Sequence, residues 1–223
     1  DREGNSLAEG EIHGQNGGYP IAIALSNDAV KLAVSMININ EGSVKSTIAF
    51  YNYGTVGQNE IDHCVGVNNY DDMVIPEMEF TSNDRMVAFV DTKAVIFEGA
   101  QKPQAIAEIP MDEKTKSIFY NEHYIGIVTG NEDEAVTNHL AVYDENGKLV
   151  MEKDFGLDYS SIEFLTNNEI CIRNANVCDI YTVHGVYKFH HEFEEELFEI
   201  IPGKLKLNYT LVLKDTTQRI RLK

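Results

Sequence analysis

Short runs rich in valine, isoleucine, tyrosine and phenylalanine recur along the chain, separated by clusters of asparagine, aspartate and glycine. Residues 21–25, 31–37, 47–53, 86–90, 94–97, 124–128, 140–143 and 170–172 are of this kind, and their composition and length predict β-strands. No window holds apolar residues at helical spacing over three turns with a cap at each end. Residues 192–200 come nearest, with Phe193, Leu197 and Ile200 spaced four and three apart. Their β-type neighbours and the following Ile201-Pro202-Gly203 make that stretch a strand end or a single helical turn. The pattern predicts an all-β chain.

The runs also repeat in order: a first strand, an Asn/Asp turn, a second strand, a hairpin, a third strand ending near an aromatic, and a polar fourth strand. Aligned this way, first strands begin near Pro20, Ile75, Thr115, Tyr159 and Glu196. That is a period of roughly forty residues, the size of a four-stranded propeller blade. The turns after the first strands resemble one another: Leu25-Ser26-Asn27-Asp28, Phe80-Thr81-Ser82-Asn83-Asp84 and Phe164-Leu165-Thr166-Asn167-Asn168. Side chains of Asn, Asp and Ser bond nearby amides and tolerate left-handed dihedrals, which suits them to such turns. Tyr143-Asp144-Glu145-Asn146-Gly147-Lys148 reads as a hairpin between third and fourth strands, and Asp1-Arg2-Glu3-Gly4-Asn5-Ser6 echoes it. The expected architecture is one β-propeller-like domain over residues 1–223, of about five four-stranded antiparallel blades of the WD40 or TolB-like kind, which could be the C-terminal part of a larger propeller.

The chain is read as starting and ending inside a blade. Blade one, from Pro20 to about Asn69, already has four strands, which leaves Ser6 to His13 over, whereas the final blade has three. An unpaired edge invites aggregation, so residues 6–12 are expected antiparallel to Thr216 through Leu222, as the outer strand of the last blade. In a longer parent that strand would belong to the preceding blade. A second expectation concerns Cys171 and Cys178. A two-residue turn at Asn174-Ala175 would set them directly opposite each other as a hydrogen-bonded pair with diverging side chains, a poor geometry for a disulfide. They are expected as neighbouring free thiols packed between blades.

At 223 residues and 43% apolar content, the chain can bury a substantial core. Its 18 basic and 36 acidic residues give a formal charge of −18, which repels phosphate backbones and anionic lipid. Nucleic acid and bare membrane are therefore not expected as partners. The three cysteines, Cys64 included, form neither a disulfide framework nor a zinc motif. No signal peptide and no apolar run of about 20 residues occurs, so the chain as given reads as soluble.

Candidate chemistry is sparse. Gly54-Thr55-Val56-Gly57-Gln58-Asn59 lacks the Lys-Ser/Thr of a phosphate-binding loop, and there is no nucleophile elbow, zinc-protease helix or tryptophan. His190-His191-Glu192 with Glu194-Glu195-Glu196 is the densest ligand set. Strand alternation would turn the two rings to opposite faces, so a solvated outer strand is preferred to a metal site. Asn131-Glu132-Asp133-Glu134 and Asp71-Asp72 lack the spacing and glycine of a calcium loop and read as solvated loops. Glu122-His123, beside Tyr120 and Tyr124, reads as a hairpin tip rather than an acid/base pair. Asn208-Tyr209-Thr210 matches a glycosylation sequon but lies inside a predicted strand. Tyr51, Tyr53, Phe97, Phe119, Tyr120 and Tyr143 read as blade-packing aromatics. No catalytic, metal-binding or cofactor-binding residue is assigned, and no cofactor is expected.

Several segments carry a resemblance to a known family. Gly18-Tyr19-Pro20, Ile23-Ala24-Leu25-Ser26 and Lys31-Leu32-Ala33-Val34-Ser35 look like its opening blade. Ala49-Phe50-Tyr51-Asn52-Tyr53-Gly54, Val56-Gly57-Gln58-Asn59, Gln101-Lys102-Pro103, Phe119-Tyr120-Asn121, Tyr124-Ile125-Gly126 and Ile220-Arg221-Leu222-Lys223 extend the match over almost the whole chain. Together they resemble an uncharacterised domain-of-unknown-function family of Gram-positive anaerobes. That resemblance implies a short cytoplasmic tail, one transmembrane helix and an extracytoplasmic propeller-like domain, of which this chain would be the C-terminal part. It carries over no catalytic residue, and Asn27 and Ala29 depart from the family's usual Ser-Pro-Asp-Gly turn. The expected function is an extracytoplasmic binding or scaffold module of a membrane-anchored surface protein, its partner a protein or glycan at the cell surface. The alternatives are a glycan-acting hydrolase or lyase with carboxylates at the channel mouth, and a structural part of an envelope complex.

Overall fold

The computed structural model describes residues 18–54, 63–111, 114–131 and 137–222. The secondary structure there is all β, in five antiparallel sheets whose strands follow one another in chain order. The first sheet holds β1 (Tyr19–Leu25), β2 (Lys31–Asn40), β3 (Ser43–Asn52) and β4 (Cys64–Asp71). The second holds β5 (Glu77–Phe80), β6 (Arg85–Val90), β7 (Lys93–Glu98) and β8 (Gln104–Pro110). In the third are β9 (Thr115–Tyr120), β10 (Tyr124–Asn131), β11 (Thr137–Asp144) and β12 (Leu149–Phe155). The fourth comprises β13 (Ser161–Phe164), β14 (Glu169–Arg173), β15 (Val177–Thr182) and β16 (Tyr187–Glu192). The fifth has three strands, β17 (Leu197–Pro202), β18 (Asn208–Leu213) and β19 (Thr217–Arg221). Among the described residues no helix is long and apolar enough to cross a membrane.

Contacts gather the chain into two compact units, Asp1–Glu113 and Lys114–Lys223. Within the first unit, Ala33, Ile48 and Phe50 of the first sheet pack on Met78, Met86, Val95 and Phe97 of the second. The Phe50 and Phe97 rings meet at 5.2 Å between centroids, tilted by 57°. In the second unit, Phe119, Val128, Leu140 and Val142 pack on Ile170 and Ile172. A further cluster joins Cys171, Cys178 and Ile180 to Leu197, Ile200, Tyr209 and Leu211. Middle strands such as β6 are buried almost continuously, whereas the fourth strand β8 is mostly exposed. A sheet covered on both faces needs apolar residues at every position of its middle strands, and an outer strand does not.

The expected antiparallel placement of residues 6–12 falls outside the described residues, as does the calcium-loop candidate Glu132-Asp133-Glu134.

Two turns refine the sequence reading. At the β1–β2 turn, the Ala29 amide bonds the Ser26 carbonyl at 2.8 Å and Ala29 adopts φ 57°. Asn168 takes the equivalent left-handed position in the β13–β14 turn at φ 61°, a conformation that asparagine tolerates and alanine resists. Ala29→Gly is therefore expected to stabilise the first unit by about 0.5–1 kcal/mol, read as a higher urea midpoint at unchanged slope.

The β14–β15 turn sits one residue later than expected. The Asn174 side-chain oxygen accepts the amides of Asn176 at 3.0 Å and Val177 at 2.8 Å, and the Asn174 amide donates to the Val177 carbonyl at 3.0 Å. This closes the turn around Ala175-Asn176. Arg173 then pairs with Cys178 and Cys171 with Ile180, so the cysteines are diagonal neighbours rather than directly opposed. They are free thiols, with sulfurs 3.6 Å apart, in the core between the fourth and fifth sheets. The hydrogen bond shared with Cys178, and then burial, push the Cys171 thiol well above its ordinary value. A thiolate-directed reagent should therefore label Cys64, which is only half-buried, in the native protein. Cys171 and Cys178 should react only on unfolding. Rapid native labelling of three thiols would contradict this packing.

Candidate functional site

Much of the buried charge is spent on joining neighbouring sheets. In the first unit the Lys31 ammonium, on the first residue of β2, reaches Asp84 at 2.8 Å and the Asn83 carbonyl at 2.8 Å. The Asp28 amide donates to the Asn83 side chain at 3.1 Å. Asp28 is itself held below the usual carboxylate range, first by the Ser26 hydroxyl at 2.6 Å and also by the Val30 amide. In the second unit Asn121 bonds Asn168 at 2.8 Å, joining the β9–β10 and β13–β14 turns.

A buried polar cluster lies between the fourth and fifth sheets. Glu169, the first residue of β14, accepts hydrogen bonds from the Lys188 ammonium on β16 and from the Tyr209 hydroxyl on β18, and Lys188 reaches the Tyr209 oxygen at 3.3 Å. Burial, and then the Glu169 carboxylate, push the Tyr209 hydroxyl up. For Lys188 burial acts downward, but the bonds to Glu169 and Tyr209 outweigh it and the net shift is upward. Glu169 and Tyr209 are buried and bonded to one another, so the cluster clamps the fifth sheet to the fourth.

Two surfaces of the second unit are open instead. The first is a pocket of about 510 Å³ formed by the β12–β13 loop, the β14–β15 turn and the start of β17. The half-exposed Phe198 lines it together with Tyr159, which is partly buried, its ring 5.6 Å from that of Phe155 and its hydroxyl 2.7 Å from Ser117, while Asp158, Ser160, Arg173 and Asn174 offer polar groups. Arg173 is pinned by its Nη1 bond to the Leu197 carbonyl at 3.1 Å and lies 3.6 Å from Glu163. Asn174 is pinned through the Asp158 carbonyl at 3.1 Å. The second is a groove of about 520 Å³ between β16 and the outer side of the fifth sheet, bordered by Phe189, His191 and Phe193.

The residues singled out in the sequence are dispersed. His190 bonds Asp179 at 2.7 Å, whereas the His191 ring packs between Phe189 and Phe193 at 5.9 and 4.6 Å. His123 lies 3.5 Å from Glu145 on a turn that Asn121 caps. Asp71 is exposed, 3.8 Å from Lys45, and Asp72 turns the chain at φ 56°. Asn208 spends its side-chain amide on the Leu205 and Lys206 carbonyls. Among the described residues no group of three or more His, Cys, Asp or Glu could hold a metal. Phe97 and Phe119 are core residues, Tyr51 packs beside Val34 and Met36, and Tyr53 lies against His63 at 4.7 Å. Tyr120 and Tyr143 are only partly buried. The sequence reading missed Glu169, Lys188 and Tyr209, as well as Arg173. The acidic residue directly before the apolar run Ile170-Cys171-Ile172 stands out in the sequence, but nothing local points to its partners.

Repeated antiparallel sheets of this kind define a β-propeller-like protein. The β-propeller domain of the trilobed protease from Pyrococcus furiosus shares the fold at 11% identity and a TM-score of 0.51, with 91% of this chain and 70% of that one aligned. The Neurospora crassa Pan2 WD40 domain aligns at 6% identity and TM-score 0.48, over 93% of this chain and 64% of its own. BamB from Moraxella catarrhalis aligns at 11% and 0.43, over 90% and 58%. Comparison with curated proteins gives no match. The chain belongs to DUF5711, a family of unknown function whose sequence profile matches residues 1–222.

Proposed function

We propose that this chain is a binding or scaffold module, displayed outside the cell of a Gram-positive anaerobe and held to the membrane by a helix outside the chain. Its ligand in this reading is a protein or glycan of the cell surface. The observation that carries the reading is the loop pocket of the second unit. The half-exposed ring of Phe198 and the partly buried Tyr159 flank hydroxyl, amide and guanidinium groups that are already held in place. Preorganised polar groups beside ring faces suit a polar ligand that also stacks, and loops on a rigid scaffold are where propellers usually bind. Membership of a family of unknown function with propeller-like relatives accords with this role.

The test is a titration of the chain with cell-wall glycan fragments and purified surface proteins, comparing the native form with Phe198→Ala. The native chain should bind one of these, and the substitution should weaken binding about tenfold, or 1.4 kcal/mol, without moving the thermal midpoint. Binding unchanged by Phe198→Ala would remove the pocket from the account.

A further inference from the structure

Among the described residues the fifth sheet has one strand fewer than each of its four neighbours. Each of those ends in a fourth strand antiparallel to the third, β4, β8, β12 or β16. In the fifth sheet β19 pairs with β18 and, among the described residues, with no other strand. The ladder's parity fixes what β19 offers on its free side. The Leu222 amide bonds the Leu207 carbonyl at 2.8 Å, and the Leu213 amide bonds the Thr216 carbonyl at 2.9 Å. These two hydrogen-bonded pairs bracket the ladder, so Gln218 and Ile220 also turn their backbone groups toward β18. Thr217, Arg219 and Arg221 therefore direct theirs outward.

Beside that edge runs the groove bordered by Phe189 and His191 of β16 and by Phe193 just after it. Every second residue of β16 and its continuation contributes a ring, and Leu211, Ile220 and Leu222 face them from the fifth sheet. We propose that the edge of β19 and this groove take up an extended strand of a partner polypeptide that alternates apolar and acidic residues, completing the sheet. Main-chain bonds along an edge supply affinity, and alternate side chains supply specificity. Apolar residues of the incoming strand lie along Phe189, His191 and Phe193, where Glu194 and Glu195 at the rim disfavour acids. Its acidic residues fall on the other face, opposite the exposed Arg219 and Arg221, where opposite charges stabilise a cross-strand pair. A second copy fits poorly, because a two-fold pairing of β19 with itself sets Arg219 against Arg219. This edge is separate from the loop pocket and does not depend on it.

The test uses the full chain and two labelled peptides, Thr-Val-Glu-Val-Glu-Val-Thr and Thr-Val-Lys-Val-Lys-Val-Thr, followed by fluorescence anisotropy and amide hydrogen exchange. The glutamate peptide should bind at least tenfold tighter than the lysine peptide. It should slow exchange at Thr217, Arg219 and Arg221 while leaving Gln218 and Ile220 unchanged. Arg219→Pro removes one outward amide and no bond to β18, and should abolish binding. Should that variant misfold, the exposed double substitution Arg219→Glu/Arg221→Glu decides the matter by reversing the peptide preference. Equal binding of both peptides, or no change at the three amides, overturns the proposal. So does protection of those amides in the monomeric chain without peptide, which would mean the edge is closed from within. Self-association through β19, seen by light scattering and lost in Arg219→Pro, would assign the edge to a second copy instead.

Discussion

Replacing Glu169 with alanine is expected to destabilise the second unit by about 3 kcal/mol. The substitution leaves the Lys188 ammonium and the Tyr209 hydroxyl without their common acceptor between two packed sheets. Removing one partner of a buried pair typically costs about 3–5 kcal/mol. The low end applies because the Lys188 side chain keeps 20% of its surface in water. Tyr209→Phe, which leaves the ion pair in place, should cost only about 1–2 kcal/mol. The clamp also predicts a pH dependence. Lys188 and Tyr209 hold their protons more tightly folded than unfolded, from ordinary values of 10.5 and 10.0. Their stabilisation is thus fully present below those values and is lost as pH rises through the raised folded values. Urea unfolding should show the native chain losing stability above roughly pH 10 more steeply than Glu169→Ala does. Parallel pH profiles would show that the clamp contributes nothing.

Phe97→Ala should cost about 4 kcal/mol in the first unit. Its ring is fully buried between the first and second sheets, against Phe50 and among Ile48, Met86 and Val95. The surrounding side chains relax only partially around such a vacancy, so a cavity term adds to the lost transfer free energy. Ile106→Ala on the outer strand β8, where the side chain is 43% exposed, should cost less than about 1 kcal/mol. A similar loss for both would show that the core between these sheets is looser than the contacts indicate.

The architecture was legible because blade packing writes itself into local pattern. Expected first strands near Pro20, Ile75, Thr115, Tyr159 and Glu196 stand within two residues of β1, β5, β9, β13 and β17. The turn chemistry was legible where an Asn or Asp caps its own loop, as at Asn121 and Asn167. It failed at Asn174, where a single side-chain oxygen accepting two amides moved the turn by one residue and the cysteines out of direct opposition. Glu169, Lys188 and Tyr209 were not legible, because they come from three strands and meet only when two sheets pack. The loop pocket was hidden for the same reason, since Tyr159, Asn174 and Phe198 look like ordinary turn and strand residues until they converge.

The central claim is that the loop pocket holds a cell-surface ligand without altering it. It is tested most directly by incubating the chain with the fragment it binds best, recovering that fragment and measuring its mass. The account predicts a stoichiometric complex, weakened by Phe198→Ala, from which the fragment returns at its original mass. A fragment recovered shortened or with a new double bond, at a rate that depends on the native chain, would contradict it and mark the protein as a glycan-cleaving enzyme.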